Sequence, residues 1–208
     1  MTRATTTITA HGRTLSATAR TDLQPAVDAL LQRFAELGEQ WADGLVAWSS
    51  WSPIVMEARA DGFVLRSPDF EADAREDRTD DLTIALETTE GIVRVLNAAG
   101  VLPQDVRFDQ EVEAVRGWES HRELVLSRAP GRDARDSGWF VDLAGVERSE
   151  PWSADDVVDV PVWRVRMARP AVVRALALPV GVSASVVGDA VELVVDERDG
   201  AILARGPL

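Results

Sequence analysis

The stretch SVVGDAVELVVDERDGAILARG, residues 185–206, decides the fold class. Apolar runs rich in Val, Leu and Ile are separated by Gly188-Asp189 and Asp199-Gly200, and steps of this kind between such runs are turns that the left-handed backbone tolerance of Gly and Asp makes possible. Strands joined so tightly are antiparallel, so this stretch is a meander. Upstream, VEAVRGW, RELVLSR and SGWFVDL read as further strands, and so does VWRVRMA, residues 162–168. RPAVVRAL, with Pro170 suited to a first helical turn, reads as a short helix.

The N-terminal half mixes both periodicities. ATTTITAHGRTLSATA alternates on either side of His11-Gly12 and predicts a hairpin. Leu23, Val27, Leu30, Phe34, Leu37 and Trp41 recur at spacings of four and three, which predicts a helix that Asp22 would cap. LVAWSSWSPIVMEARADGFVLRSPDF then predicts strands turning at Asp61-Gly62. A second long helix opens at Asp80 or Asp81, carries Leu82, Ala85, Leu86, Val93 and Leu96 on one face and closes at Gly100, with Pro103 beyond. Strands outnumber helices and do not alternate with them regularly. The expected fold is therefore α+β, mainly antiparallel sheet with two long helices, in one domain over 1–208 with candidate lobes 1–103 and 104–208.

Composition narrows the function. The chain has 208 residues, a net charge of −13 and 22 basic residues, all of them Arg. Such a surface repels phosphate backbones, so nucleic acid is not an expected ligand and a basic protein is. The lack of Lys removes Schiff-base and P-loop chemistry. The lack of Cys removes disulfides, zinc thiolates and thiol catalysis, in keeping with a cytoplasmic protein. The first twenty residues lack a signal-peptide apolar run, and no segment reaches the roughly 20 apolar residues of a membrane span.

Catalytic motifs are sparse. The only histidines are His11 and His121. Ser137, His121 and Asp136 contain the residue types of a hydrolytic triad, but no GxSxG elbow frames them, and HExxH is missing. Neither a catalytic site nor a cofactor is expected. The stretch DFEADAREDRTDD, residues 69–81, holds seven acids and two arginines, a net charge of −5. In an EF-hand register Asp69, Glu71, Asp73, Asp77 and Asp80 fall at ligand positions, yet Ala74 stands where the turn needs Gly and Asp80 where a bidentate Glu belongs. The stretch is therefore expected to be a solvated loop that binds no metal. Of seven tryptophans, Trp41, Trp139 and Trp163 are expected in the core, and Trp48, Trp51, Trp118 and Trp152 at a surface cleft.

The order DLTIALETTEGIVRVLNAAGVLP, VRGWESHRELVLSRAPG, DSGWFVD and LALPVG resembles bacterial immunity proteins of the class numbered thirty-three. The shared feature is an Asp-Ser-Gly-Trp-aromatic step, here Asp136, Ser137, Gly138, Trp139 and Phe140, after an arginine-bearing strand ending at Arg128. The likeness spans about residues 80–182, and the long N-terminal half departs from the compact members. It implies a small cytoplasmic antidote that binds the toxin encoded beside it and catalyses nothing. The expected partner is thus a basic toxin domain. Glu71, Asp73, Glu76, Asp77, Trp118 and Asp136 are the expected contact residues, and Ser137 to Phe140 a structural motif. A small adaptor without a toxin partner, or a hydrolase using paired carboxylates, are the competing readings.

Overall fold

The C-terminal meander forms as three strands, β11 (Val182–Val187), β12 (Ala190–Asp196) and β13 (Ile202–Arg205), antiparallel throughout. A computed structural model describes residues 2–147 and 150–208. Among these the chain is mixed α+β, with thirteen strands in two antiparallel-rich sheets and four α-helices, and it separates into two compact units, residues 1–89 and 90–208.

In the first unit, β1 (Arg3–Ala10) and β2 (Arg13–Arg20) form the expected hairpin. His11 and Gly12 both take positive φ, as a tight two-residue turn requires. Helix α1 (Gln24–Glu36) buries Val27, Leu30, Leu31 and Phe34 and packs on β1 and β2. Two expectations about this helix change. Asp22 does not cap it but pairs with Arg20 at 2.6 Å, and Trp41 lies beyond the helix, donating its indole N–H to the helix-end carbonyl of Phe34 at 2.6 Å. Strands β3 (Val46–Ser49), β4 (Ser52–Arg59), β5 (Gly62–Pro68) and the short β6 (Arg78–Thr79) complete a sheet of order β1-β2-β5-β4-β3, with β6 on β5 and only β2 and β5 parallel. Arg59 pairs with Gly62, so the turn residues are Ala60 and Asp61 and Gly62 already belongs to β5.

Helix α2 (Thr83–Ala99) starts in the first unit and continues into the second, so the units divide at Thr89/Glu90 within the helix. Asp81 caps it, its Oδ1 accepting the Thr83 N–H at 3.0 Å. Its buried apolar side chains are Ala85, Leu86, Ile92, Val95, Leu96 and Ala99, whereas Val93, expected inside, is 46% exposed.

The second unit places β7 (Glu111–Val115), β8 (Glu123–Arg128), β9 (Asp136–Leu143) and β10 (Val157–Pro161) with the meander in the order β10-β7-β9-β8-β11-β12-β13. Only β7 and β9 run parallel. VWRVRMA is not a strand. It forms helix α3 (Val162–Ala168), followed by α4 (Pro170–Ala175). Trp163, Val165 and Met167 alternate with Arg164 and Arg166, which mimics a strand, but the buried positions are Val162, Val165, Arg166 and Arg169, the spacing of one helix face. Four helices, of 13, 17, 7 and 6 residues, form where two long helices and one short one are expected. Along the sheet of this unit, period-two alternation buries Val112, Ala114, Leu124, Leu126, Trp139, Val141, Val182, Ala184 and Val186. No helix among the described residues is long and apolar enough to cross a membrane.

Candidate functional site

The Asp136–Phe140 step is a structural device. Asp136 accepts the backbone N–H of Arg132 at 3.0 Å and of Gly138 at 2.8 Å, and the Arg132 guanidinium at 2.6 Å. Burial would raise its carboxyl pKa. The two N–H donors and Arg132 outweigh that and hold it below the usual 3.8. Ser137 donates to the Glu111 carbonyl of the neighbouring strand at 2.7 Å. Gly138 has φ +76°, and a Cβ there would lie 2.0 Å from the Ala129 carbonyl oxygen, so glycine is required twice over. Trp139 is 1% exposed and donates its indole N–H to Leu176 O at 2.7 Å. Phe140 points to the opposite face of the sheet.

Behind Trp139 lies Arg128, expected only as the end of the arginine-bearing strand. The Arg128 guanidinium stacks 5.6 Å from the Trp139 ring and donates to the carbonyls of Gln104, Asp105, Ser137, Leu176 and Leu178. Burial pushes its pKa down to about 10 against the pull of the Asp105 carboxylate, which leaves it charged at neutral pH. Arg169 does the same for the turn after β7, donating to the carbonyls of Trp118, Glu119, His121, Arg122 and Gly188. A signal for Arg128 existed: in ELVLSR it shares the strand parity of Leu124 and Leu126, the inward one.

The outward face of the same sheet carries an open cleft of about 520 Å³. Its floor holds Glu113, which faces Asp159 of β10 on one side and Phe140 of β9 on the other in the strand register. The 151–154 segment walls it with Trp152, whose indole N–H donates to Asp142 Oδ1 at 2.8 Å. On the far side of Phe140 a groove of about 250 Å³ is bounded by Ala129, Pro130 and Arg132. Arg132 reaches from there to Glu113 and Asp136, 2.6 Å from each, and the Asp136 hydrogen bond followed by the Glu113 charge raises its pKa.

In the first unit, residues 69–81 form an ordered segment, a loop over 69–77 that runs into β6. Asp69 N–H bonds to Asp77 O at 3.0 Å and closes it, and Asp77 N–H bonds to Asp73 O at 2.7 Å. The Asp69 and Asp73 carboxylates accept the backbone N–H groups of Glu71 and Arg75, both at 3.0 Å. Phe70, 2% exposed, stacks on Trp51 at 4.6 Å, and Ala74 is also buried. Phe70 thus plugs the loop into the core, while Glu71, Asp73, Glu76 and Asp77 are all exposed.

The expected contact residues therefore separate. The four loop acids face solvent. Trp118 is 1% exposed, which removes it as a surface contact, and the side chain of Asp136 is only 12% exposed and occupied by its loop. Among the other tryptophans expected at a cleft, Trp51 is fully buried, Trp48 is 44% exposed and Trp152 lines the cleft, while Trp163, expected in the core, is half-buried. The Ser137, His121 and Asp136 combination is not assembled: His121 Nε2 lies 3.0 Å from Ala144 O, and Ser137 donates to Glu111 O. Among the described residues no group of three or more His, Asp and Glu side chains is placed to hold a metal ion. No known protein family, no curated protein and no solved structure matches this chain.

Proposed function

We propose that the protein is a non-catalytic, cytoplasmic binding protein that neutralises a basic bacterial toxin domain as its immunity partner. The observation that carries this reading is the 69–81 loop: an acidic segment whose backbone is fixed by its own hydrogen bonds and by the Phe70 plug, with Glu71, Asp73, Glu76 and Asp77 outward. A pre-formed negative surface accelerates encounter with a positive one and loses little ordering entropy on binding. The net charge of −13 extends the same field. The resemblance through Asp136–Phe140 supports the toxin as the partner class, and its buried members Ser137 and Trp139 belong to the core rather than to an interface.

Co-expression with the toxin domain encoded beside it tests the proposal. Restored growth and a stoichiometric complex are the expected results. Unchanged killing at confirmed expression of both chains would refute it.

A further inference from the structure

We infer that the cleft beneath Trp152 seats an arginine side chain of a protein partner. The inference rests on the reading that the partner is basic, and it concerns a surface of the second unit that the 69–81 loop does not supply.

The strand register carries the argument. Glu113 opposes Asp159 across β7 and β10, and directly opposed residues on one sheet face hold their Cβ atoms about 4.5–5.5 Å apart. Like charges so placed repel, and a cation seated between them removes that repulsion. Phe140 flanks Glu113 on the other side, and Trp152 stands over the cleft with its ring fixed by the hydrogen bond to Asp142. Two carboxylates beside two aromatic surfaces match the guanidinium better than the ammonium group: it is planar, donates through a rigid fork and stacks on rings.

The face already displays this preference. Arg132, though its side chain is 69% exposed, holds its guanidinium against Glu113 at 2.6 Å from the neighbouring groove. At the cleft itself that guanidinium meets the carboxylate of Glu113, and opposite Glu113 lies that of Asp159. At about 520 Å³ the opening falls within the range of small-ligand sites of roughly 300–1,000 Å³, ample for one long side chain and its flanking backbone.

The test uses two capped pentapeptides with a central arginine or a central citrulline, which keeps the shape and removes the charge. Each is titrated at low salt into the full chain, and the indole N–H resonances are followed by NMR, with Trp152 assigned from Trp152→Phe. The arginine peptide should shift the Trp152 signal saturably, and the citrulline peptide should not. Asp159→Asn should weaken arginine binding by roughly five- to tenfold. Asp159 is exposed and its neutralisation relieves the repulsion with Glu113, so the variant's melting temperature should not fall below that of wild type. Equal binding of both peptides, wild-type affinity in Asp159→Asn, or saturable shifts that spare Trp152 would each overturn the assignment. Toxin rescue without arginine-peptide binding would remove the cleft and leave the proposed function standing. Peptide binding without rescue would assign the cleft and refute the toxin as partner.

Discussion

The loop of residues 69–81 and the loop of residues 129–136 use the same parts and reach opposite ends. Each folds on Asp side chains that accept nearby backbone N–H groups: Asp69 and Asp73 in the first, Asp133 and Asp136 in the second. Each is tied to the core by an adjoining aromatic, Phe70 in one and Trp139 in the other, both buried. They differ in counter-charge. In the second loop Arg132 covers Asp136, so that acid serves the fold. In the first, Glu71, Asp73, Glu76 and Asp77 are turned to solvent, so these acids are available to a partner. Local Asp chemistry makes a loop, and the charges packed around it decide whether the loop is structural or free to bind.

The aromatic anchors give the largest expected effects. Trp139→Ala should destabilise by about 3–5 kcal/mol in urea denaturation, because it leaves a cavity and uncovers Arg128. Phe70→Ala should cost about 3 kcal/mol and loosen the acidic loop, read as faster amide exchange over residues 69–77. If Phe70→Ala leaves that exchange unchanged, the loop is held by its hydrogen bonds alone and the parallel between the anchors breaks.

Gly138→Ala comes next. A Cβ at φ +76° facing the Ala129 carbonyl should cost about 1–3 kcal/mol, with the strand edge displaced. Near-wild-type melting would mean that the β9 start does not depend on this crossing.

Asp136 gives the second loop a pH signature. Its folded pKa is depressed, so the stability it contributes is fully present above the unfolded value of about 4 and is lost as pH falls through the lower folded value. Wild type should therefore exceed Asp136→Asn in stability at pH 6, and the gap should close in acid. A constant gap from pH 6 to 2 would show that the carboxylate charge contributes nothing.

The smallest effect on stability belongs to the loop acids. Changing Glu71 and Glu76 to Gln, and Asp73 and Asp77 to Asn, should alter stability by less than about 0.5 kcal/mol. Asn keeps an acceptor oxygen for the turn N–H groups of Arg75 and Asp73. Association with the basic partner should slow in the same variant, and the loss should largely vanish in high salt. Equal stopped-flow rates for variant and wild type at low ionic strength would take this loop out of the interface.

The amino-acid sequence alone determined the α+β class, the antiparallel meander, the His11-Gly12 turn and the burial of Trp139, because periodicity and turn chemistry are properties of neighbours along the chain. It also marked the 69–81 acids, since charge density in one segment needs no fold to be visible. Tertiary structure decided what depends on residues distant in sequence. VWRVRMA became helix because Arg166 could be buried, against its two-residue alternation. Phe70 turned a charged segment into an anchored loop by meeting Trp51. Trp118 went inside under the turn that Arg169 organises. Of the cleft of Glu113, Asp159, Phe140 and Trp152 only Trp152 carried a signal, because the residues come from β7, β9, β10 and the segment before β10, and only the strand register sets the first three side by side.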